Sequence, residues 1–92
     1  MMKAQVQEVG DEVTIQVCGR LAEGWVGELE NSWRDAKARH PGGRFSIDLR
    51  CVTFIDHAGE RLLRLMHQSG AKFLAAGLLN QEVVNQVTGG AK

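Results

Sequence analysis

The chain has no excess of charge of either sign, because eleven basic residues offset eleven acidic ones among 92. It therefore presents no electrostatic footprint for nucleic acid or for an anionic membrane surface. Long apolar runs are missing as well. No uncharged stretch exceeds Phe73 to Gln81, far short of the roughly 20 residues that cross a bilayer. The start, Met1-Met2-Lys3-Ala4-Gln5, lacks the apolar core of a signal peptide. Direct membrane insertion is not expected, and a cytoplasmic location is. Cysteine is scarce: Cys18 and Cys51 lie far apart with no C-x-x-C. A reducing compartment keeps both as thiols, and they read as small buried apolar residues rather than as a disulfide or metal site.

Signals of catalysis are also missing. Cys18, His40, Cys51, His57 and His67 contain no ligand pair at zinc-binding spacing. No Ser or Cys stands in a nucleophile elbow, and no glycine-rich loop is placed to cradle phosphate. Neither a metal, a cofactor nor a catalytic residue is expected. A chain this short hides about two-thirds or less of its unfolded surface, which leaves one domain, one core and little wall for a deep cleft.

What is present is a strong alternation of periods. Gln5 to Val9 and Val13-Thr14-Ile15-Gln16-Val17 flank Gly10-Asp11, where Gly at the first central position suits a two-residue type II′ hairpin turn. After Gly19, Trp25, Leu29, Trp33 and Ala36 recur at helical spacing with Val26 beside them, which predicts an amphipathic helix from Gly24 to Arg39. His40-Pro41-Gly42-Gly43 stops it. Phe45 to Leu49 alternates as a short strand, and Cys51 to Ile55 reads as an apolar connection into Asp56. Asp56 caps a second helix whose apolar face is Ala58, Leu62, Leu65 and Met66 with Leu63 adjoining, and which ends at Ser69-Gly70. Lys72 to Ala76 is a further β-type run, and Asn80 caps a last short helix carrying Val83, Val84 and Val87.

The order β-β-α-β-α-β-α predicts an α/β fold, a small mixed and mostly parallel sheet with helices packed on it. Residues 1–88 form one domain, and 89–92 are a flexible tail.

The stretch Ile47-Asp48-Leu49-Arg50-Cys51-Val52-Thr53-Phe54-Ile55-Asp56-His57-Ala58-Gly59, followed by a leucine-rich helix and Gly70-Ala71-Lys72-Phe73-Leu74, resembles the STAS domain, the family of the anti-sigma factor antagonists. The resemblance covers nearly the whole chain, including the opening hairpin and the first helix. It implies a regulatory, non-enzymatic domain that meets a kinase-like anti-sigma factor at the start of the central helix. In the antagonists a phosphorylatable Ser or Thr follows the Asp; here that position is His57. After Gly59 come Glu60 and Arg61 where relatives have an apolar and a small residue, so the docking surface is more polar. Many relatives also have one more strand and helix, which makes this fold a shortened version. Some single-domain STAS proteins instead bind the ATPase of a lipid-transporting ABC system, and the size of this chain fits them equally.

On the second helix His57, Glu60, Arg61, Arg64 and Gln68 recur at three- and four-residue steps opposite the leucines. By pattern alone this is a solvated face; with the resemblance, Asp56, His57, Ala58, Gly59, Glu60, Arg61 and Arg64 become the expected partner-binding set. In that reading Asp56 caps the helix and Gly59 lets a partner approach the backbone. His57 is a surface residue, a partner contact or a phosphoacceptor, the last making the chain a phosphotransfer protein. Trp25 and Trp33 pack the first helix on the sheet; an exposed Trp would instead anchor a partner or a second copy of the chain in a homodimer.

Overall fold

The two-residue turn at Gly10-Asp11 sets the register between the first two strands. Gly10 has φ +60°, as the first central position of a type II′ turn requires. Val9 pairs with Glu12, and the antiparallel ladder runs to Met2–Gly19. The computed structural model describes residues 2–74. The strands are β1 (Met2–Val9), β2 (Glu12–Leu21), β3 (Arg44–Ile55) and β4 (Lys72–Leu74), and the helices are α1 (Gly24–Arg39) and α2 (His57–Gln68). The sheet order is β1-β2-β3-β4, with β2 and β3 parallel and β3 and β4 parallel. This is the expected mixed, mostly parallel sheet. The last predicted helix, the end of the fourth β-type run and the tail lie outside the described residues.

Alternation decides which face is core. Val13, Ile15 and Val17 of β2 and Phe45, Ile47 and Leu49 of β3 are buried together with Leu29, Trp33 and Ala36 of α1 and Leu62, Leu63 and Met66 of α2. Both helices therefore cover the same face. Each of the fully buried aliphatic side chains stabilises the fold by about 1.5–3 kcal/mol relative to an exposed one. The opposite face carries Lys3, Gln5 and Gln7 of β1, Thr14 and Gln16 of β2 and Ser46 of β3, none of them buried.

Helix α1 has the predicted bounds, but its face is turned slightly. Trp33 is 4% exposed, whereas Trp25 is 39% exposed and does not pack into the core. Its C-terminus is tied to β1: Glu8 accepts from Arg39 Nε at 2.9 Å and meets His40 Nε2 at 3.0 Å. The Arg39 guanidinium holds the Glu8 carboxyl below its usual range.

Helix α2 departs from the sequence reading in the same way. Its buried set is Gly59, Leu62, Leu63 and Met66; Leu65 is 41% exposed and Ala58 only half-buried. Leu62, Leu63, Leu65 and Met66 spread over an arc of nearly half the helix, and packing on the sheet selects the 59/62/63/66 side.

The larger correction concerns β3. What reads as a short strand and an apolar connection is one strand of 12 residues, interrupted twice by register shifts against β2, at Gln16/Cys18 and Gly19/Arg20. The first is an extra β3 residue between the pairs Gln16–Asp48 and Cys18–Cys51. Asp48 holds it. This carboxylate, 5% exposed, accepts from Arg50 N at 3.1 Å, Arg50 Nε at 3.0 Å and Arg50 Nη2 at 2.8 Å. Arg50 keeps the Asp48 carboxyl ionised below its usual range.

The bulge also overturns the reading of the cysteines. Cys51 is exposed, Cys18 is half-buried, and the two are register partners on adjacent strands rather than separate core residues. Both are free thiols.

Candidate functional site

The start of α2 is held by one side chain. Asp56 Oδ1 accepts from Gly59 N at 2.8 Å, which caps the helix as its position predicts. Its Oδ2 accepts from Glu23 N at 2.9 Å, in the connection between β2 and α1. Its own N–H donates to Leu21 O at 3.1 Å. Asp56 thus joins the end of β2, the entry to α1 and the first turn of α2. The Gly59 and Glu23 amides lower its carboxyl below the ordinary range.

Gly59 completes the junction by having no side chain. A Cβ there would lie 2.6 Å from Leu21 O, 3.0 Å from Leu21 Cγ and 3.1 Å from Ile55 Cγ2. The absence of a Cβ is used by the chain's own β2, and Gly59 is buried. The expected opening for a partner backbone at Gly59 is therefore replaced by an internal close approach.

The other expected site residues divide by exposure. His57, Arg61 and Arg64 are exposed, Glu60 and Ala58 half-buried, and Gln68 exposed. Arg64 Nη2 stands 3.8 Å from Glu60 Oε1, an i,i+4 pair worth a few tenths of a kcal/mol at most at such a surface. The site residues thus form an anchor of half-buried Asp56 and buried Gly59 beneath an exposed stripe of His57, Arg61 and Arg64.

Beside that stripe lies a feature the sequence reading missed. A shallow trough between α1 and α2 is lined by Val26, Ala58, Leu62 and Leu65, with Glu30 and Arg61 at its edges. Around the same junction Phe54, 38% exposed, lies under the Arg20 guanidinium at 4.5 Å, and Trp25 stands exposed two residues after Glu23. Helical periodicity could not separate Trp25 and Leu65 from their buried neighbours. Glu23 was missed too: it has φ 54° and ψ −127° without being glycine, a conformation no residue-type signal predicted.

Among the described residues, no group of three or more His, Cys, Asp or Glu is placed to hold a metal, and no helix is long and apolar enough to cross a membrane.

No family model and no curated protein matches the chain by sequence. Solved structures do match by shape. The protein Mglu superposes with TM-score 0.60 at 22% identity over 80% of this chain, which corresponds to only 19% of Mglu. A STAS-domain antisigma-factor antagonist from Rhodobacter sphaeroides gives 0.56 at 18% identity, covering 86% of this chain and 89% of its own. The anti-sigma factor antagonist SpoIIAA in its unphosphorylated form gives 0.57 at 17% identity, covering 95% and 99%. The strand order, the single helical layer over residues 2–74 and these superpositions agree: the chain has the fold of the SpoIIAA-like STAS domains.

Proposed function

We propose that the chain is a non-enzymatic regulatory domain that docks on an ATPase partner in the cytoplasm, through the start of α2. The partner is a kinase-like anti-sigma factor or the ATPase of a lipid-transporting ABC system. The observation that carries this reading is the arrangement at the junction: a first turn fixed from three sides by Asp56 and Gly59, presenting His57 and Arg61 beside an apolar trough. A preset surface of this kind loses little entropy on association. A shallow apolar trough opened by the exposed Leu65, with charged side chains in its lining, fits the anatomy of a docking patch.

His57 takes the place where antagonists carry a hydroxyl. It has no oxygen for a serine kinase to modify, so His57 acts as a fixed contact and regulation rests on partner abundance. Arg61 supplies a charge at the trough's edge, which selects partners chiefly through the rate of encounter.

The reading is tested by capturing partners from a native lysate on immobilised wild type, Arg61→Glu and Arg44→Glu, and identifying the retained proteins by mass spectrometry. Arg44 lies at the other end of β3 from the site and serves as the control. Wild type and Arg44→Glu should retain one ATPase that Arg61→Glu loses. Retention of the same proteins by all three, or of no ATPase by wild type, would show that the surface is misassigned.

A further inference from the structure

The bulge in β3 has a chemical consequence independent of docking. In an unbroken ladder Cys18 would face Arg50; the extra residue held by Asp48 brings Cys51 opposite Cys18 instead. Alternation puts both side chains on the face not covered by α1 and α2, with Val17 and Val52 pointing into the core between the helices. Cys51 is exposed and Cys18 half-buried. The two side chains are thus neighbours across the β2–β3 pairing, and the adjacent Cys51 thiol pushes that of Cys18 up.

We propose that Cys18 and Cys51 are a thiol–disulfide exchange site, which takes up an intramolecular disulfide from a low-molecular-weight disulfide of the glutathione type and releases it to the corresponding thiol. Neighbouring strands lie about 4.8 Å apart, inside the roughly 4.4–6.8 Å Cα separation that a disulfide spans. Side chains leaving a sheet side by side do not hold the near-right-angle torsion a relaxed disulfide prefers, and exposed or strained disulfides are the reducible ones. The site is thus suited to exchange rather than to permanent cross-linking.

The order of steps follows from exposure. Cys51, the more accessible sulfur, loses its proton to solvent and attacks one sulfur of glutathione disulfide. That S–S bond breaks, one glutathione leaves as thiolate and is protonated, and Cys51 carries the other as a mixed disulfide. Cys18 then gives up its proton, attacks the Cys51 sulfur and displaces the second glutathione. Two protein thiols are oxidised and one glutathione disulfide is reduced to two glutathiones. The adjacent Cys51 thiol, burial and the Asp48 carboxylate raise the Cys18 thiol, while Lys3, its register partner on β1, acts in the opposite sense. Cys18 is therefore the resolving thiol.

The test equilibrates the full chain in a series of reduced-to-oxidised glutathione ratios, traps free thiols by acid and alkylation, and reads intact mass. Wild type should pass in one step from two alkylated cysteines to none, with the mass of a monomer that has lost two hydrogens and carries no glutathione. Adding excess reduced glutathione should restore both thiols. Cys18→Ser should stop at one glutathione on Cys51. A wild type that keeps both thiols under the most oxidising ratio, stops at a stable mixed disulfide, or forms only cross-linked dimers would overturn the proposal; because the wild type alone decides this, the outcome does not depend on how the variant folds.

Discussion

Gly59 and Leu21 are closer than any other side chain at that position would permit, with 2.6 Å between the site of a Cβ and the Leu21 carbonyl oxygen. The obstacle is backbone, and it belongs to the strand end that also accepts the Asp56 amide. Gly59→Ala should therefore shift α2 outward. Overpacking costs about 1–3 kcal/mol, toward the upper end where the obstacle is backbone, and the helix propensity gained by Ala returns about 1 kcal/mol, so a net loss of up to roughly 2 kcal/mol is expected. The midpoint of urea unfolding measures it, and an unchanged or higher midpoint would contradict the close approach.

Asp56→Ala removes both the cap of α2 and the tie to Glu23. A lost N-cap costs about 0.5–2 kcal/mol, and the second bond adds about 1 kcal/mol. Unfolding should report a loss of roughly 1–3 kcal/mol, and amide exchange should speed up at both Gly59 and Glu23. Faster exchange at Gly59 alone would mean that the tie to α1 carries no stability.

The acid limb of stability draws on two carboxylates besides Glu8, whose carboxyl Arg39 also lowers. Arg50 lowers the Asp48 carboxyl, and the Gly59 and Glu23 amides lower that of Asp56. A depressed folded-state value means that the stabilisation is complete above the unfolded carboxylate value near pH 3.9. It is lost as pH falls through the lower folded value. Urea midpoints measured on descending pH should hold down to about pH 4 and then decline. Asp56→Asn should start lower at neutral pH and decline less steeply; an equal slope would remove Asp56 from the acid response.

Glu23 occupies a backbone region in which a Cβ is crowded. Glu23→Gly keeps the amide that Asp56 accepts and relieves that crowding, so a gain of about 1 kcal/mol is expected. A destabilised Glu23→Gly protein would show that the side chain contributes more than its backbone conformation costs.

The two tryptophans should be separable by fluorescence. Trp33 is 4% exposed and Trp25 39%, so Trp25→Phe should leave a blue-shifted emission with poor acrylamide access. Trp33→Phe should leave a red-shifted, readily quenched one. Equal quenching in both variants would contradict the rotation of α1.

Much of this architecture was legible in the residues. Gly10-Asp11 fixed the hairpin, His40-Pro41-Gly42-Gly43 ended α1, and Asp56 marked the start of α2, because each acts through local backbone chemistry. The misread features depend on the partner strand. The run Cys51 to Ile55 has no alternation to read, because register shifts break the period, and only pairing with β2 reveals it as strand. Cys18 and Cys51 became neighbours through the same shift. The rotations that expose Trp25 and Leu65 are set by contacts across the core, which an apolar stripe wider than its contact surface leaves undetermined.

The β3 bulge also constrains how this chain tolerates changes in length. Deleting Arg50 would remove the first of the two extra β3 residues and still leave Cys51 opposite Cys18, Val52 opposite Gly19 in the core, and the frame of the far end, with Asp56 at the Leu21 carbonyl, unchanged. One residue added within the loop at Gly42 would leave that frame intact. The strand's irregularity thus works as slack, absorbing one residue of length between Asp48 and Cys51 while β2 fixes where the helix start falls.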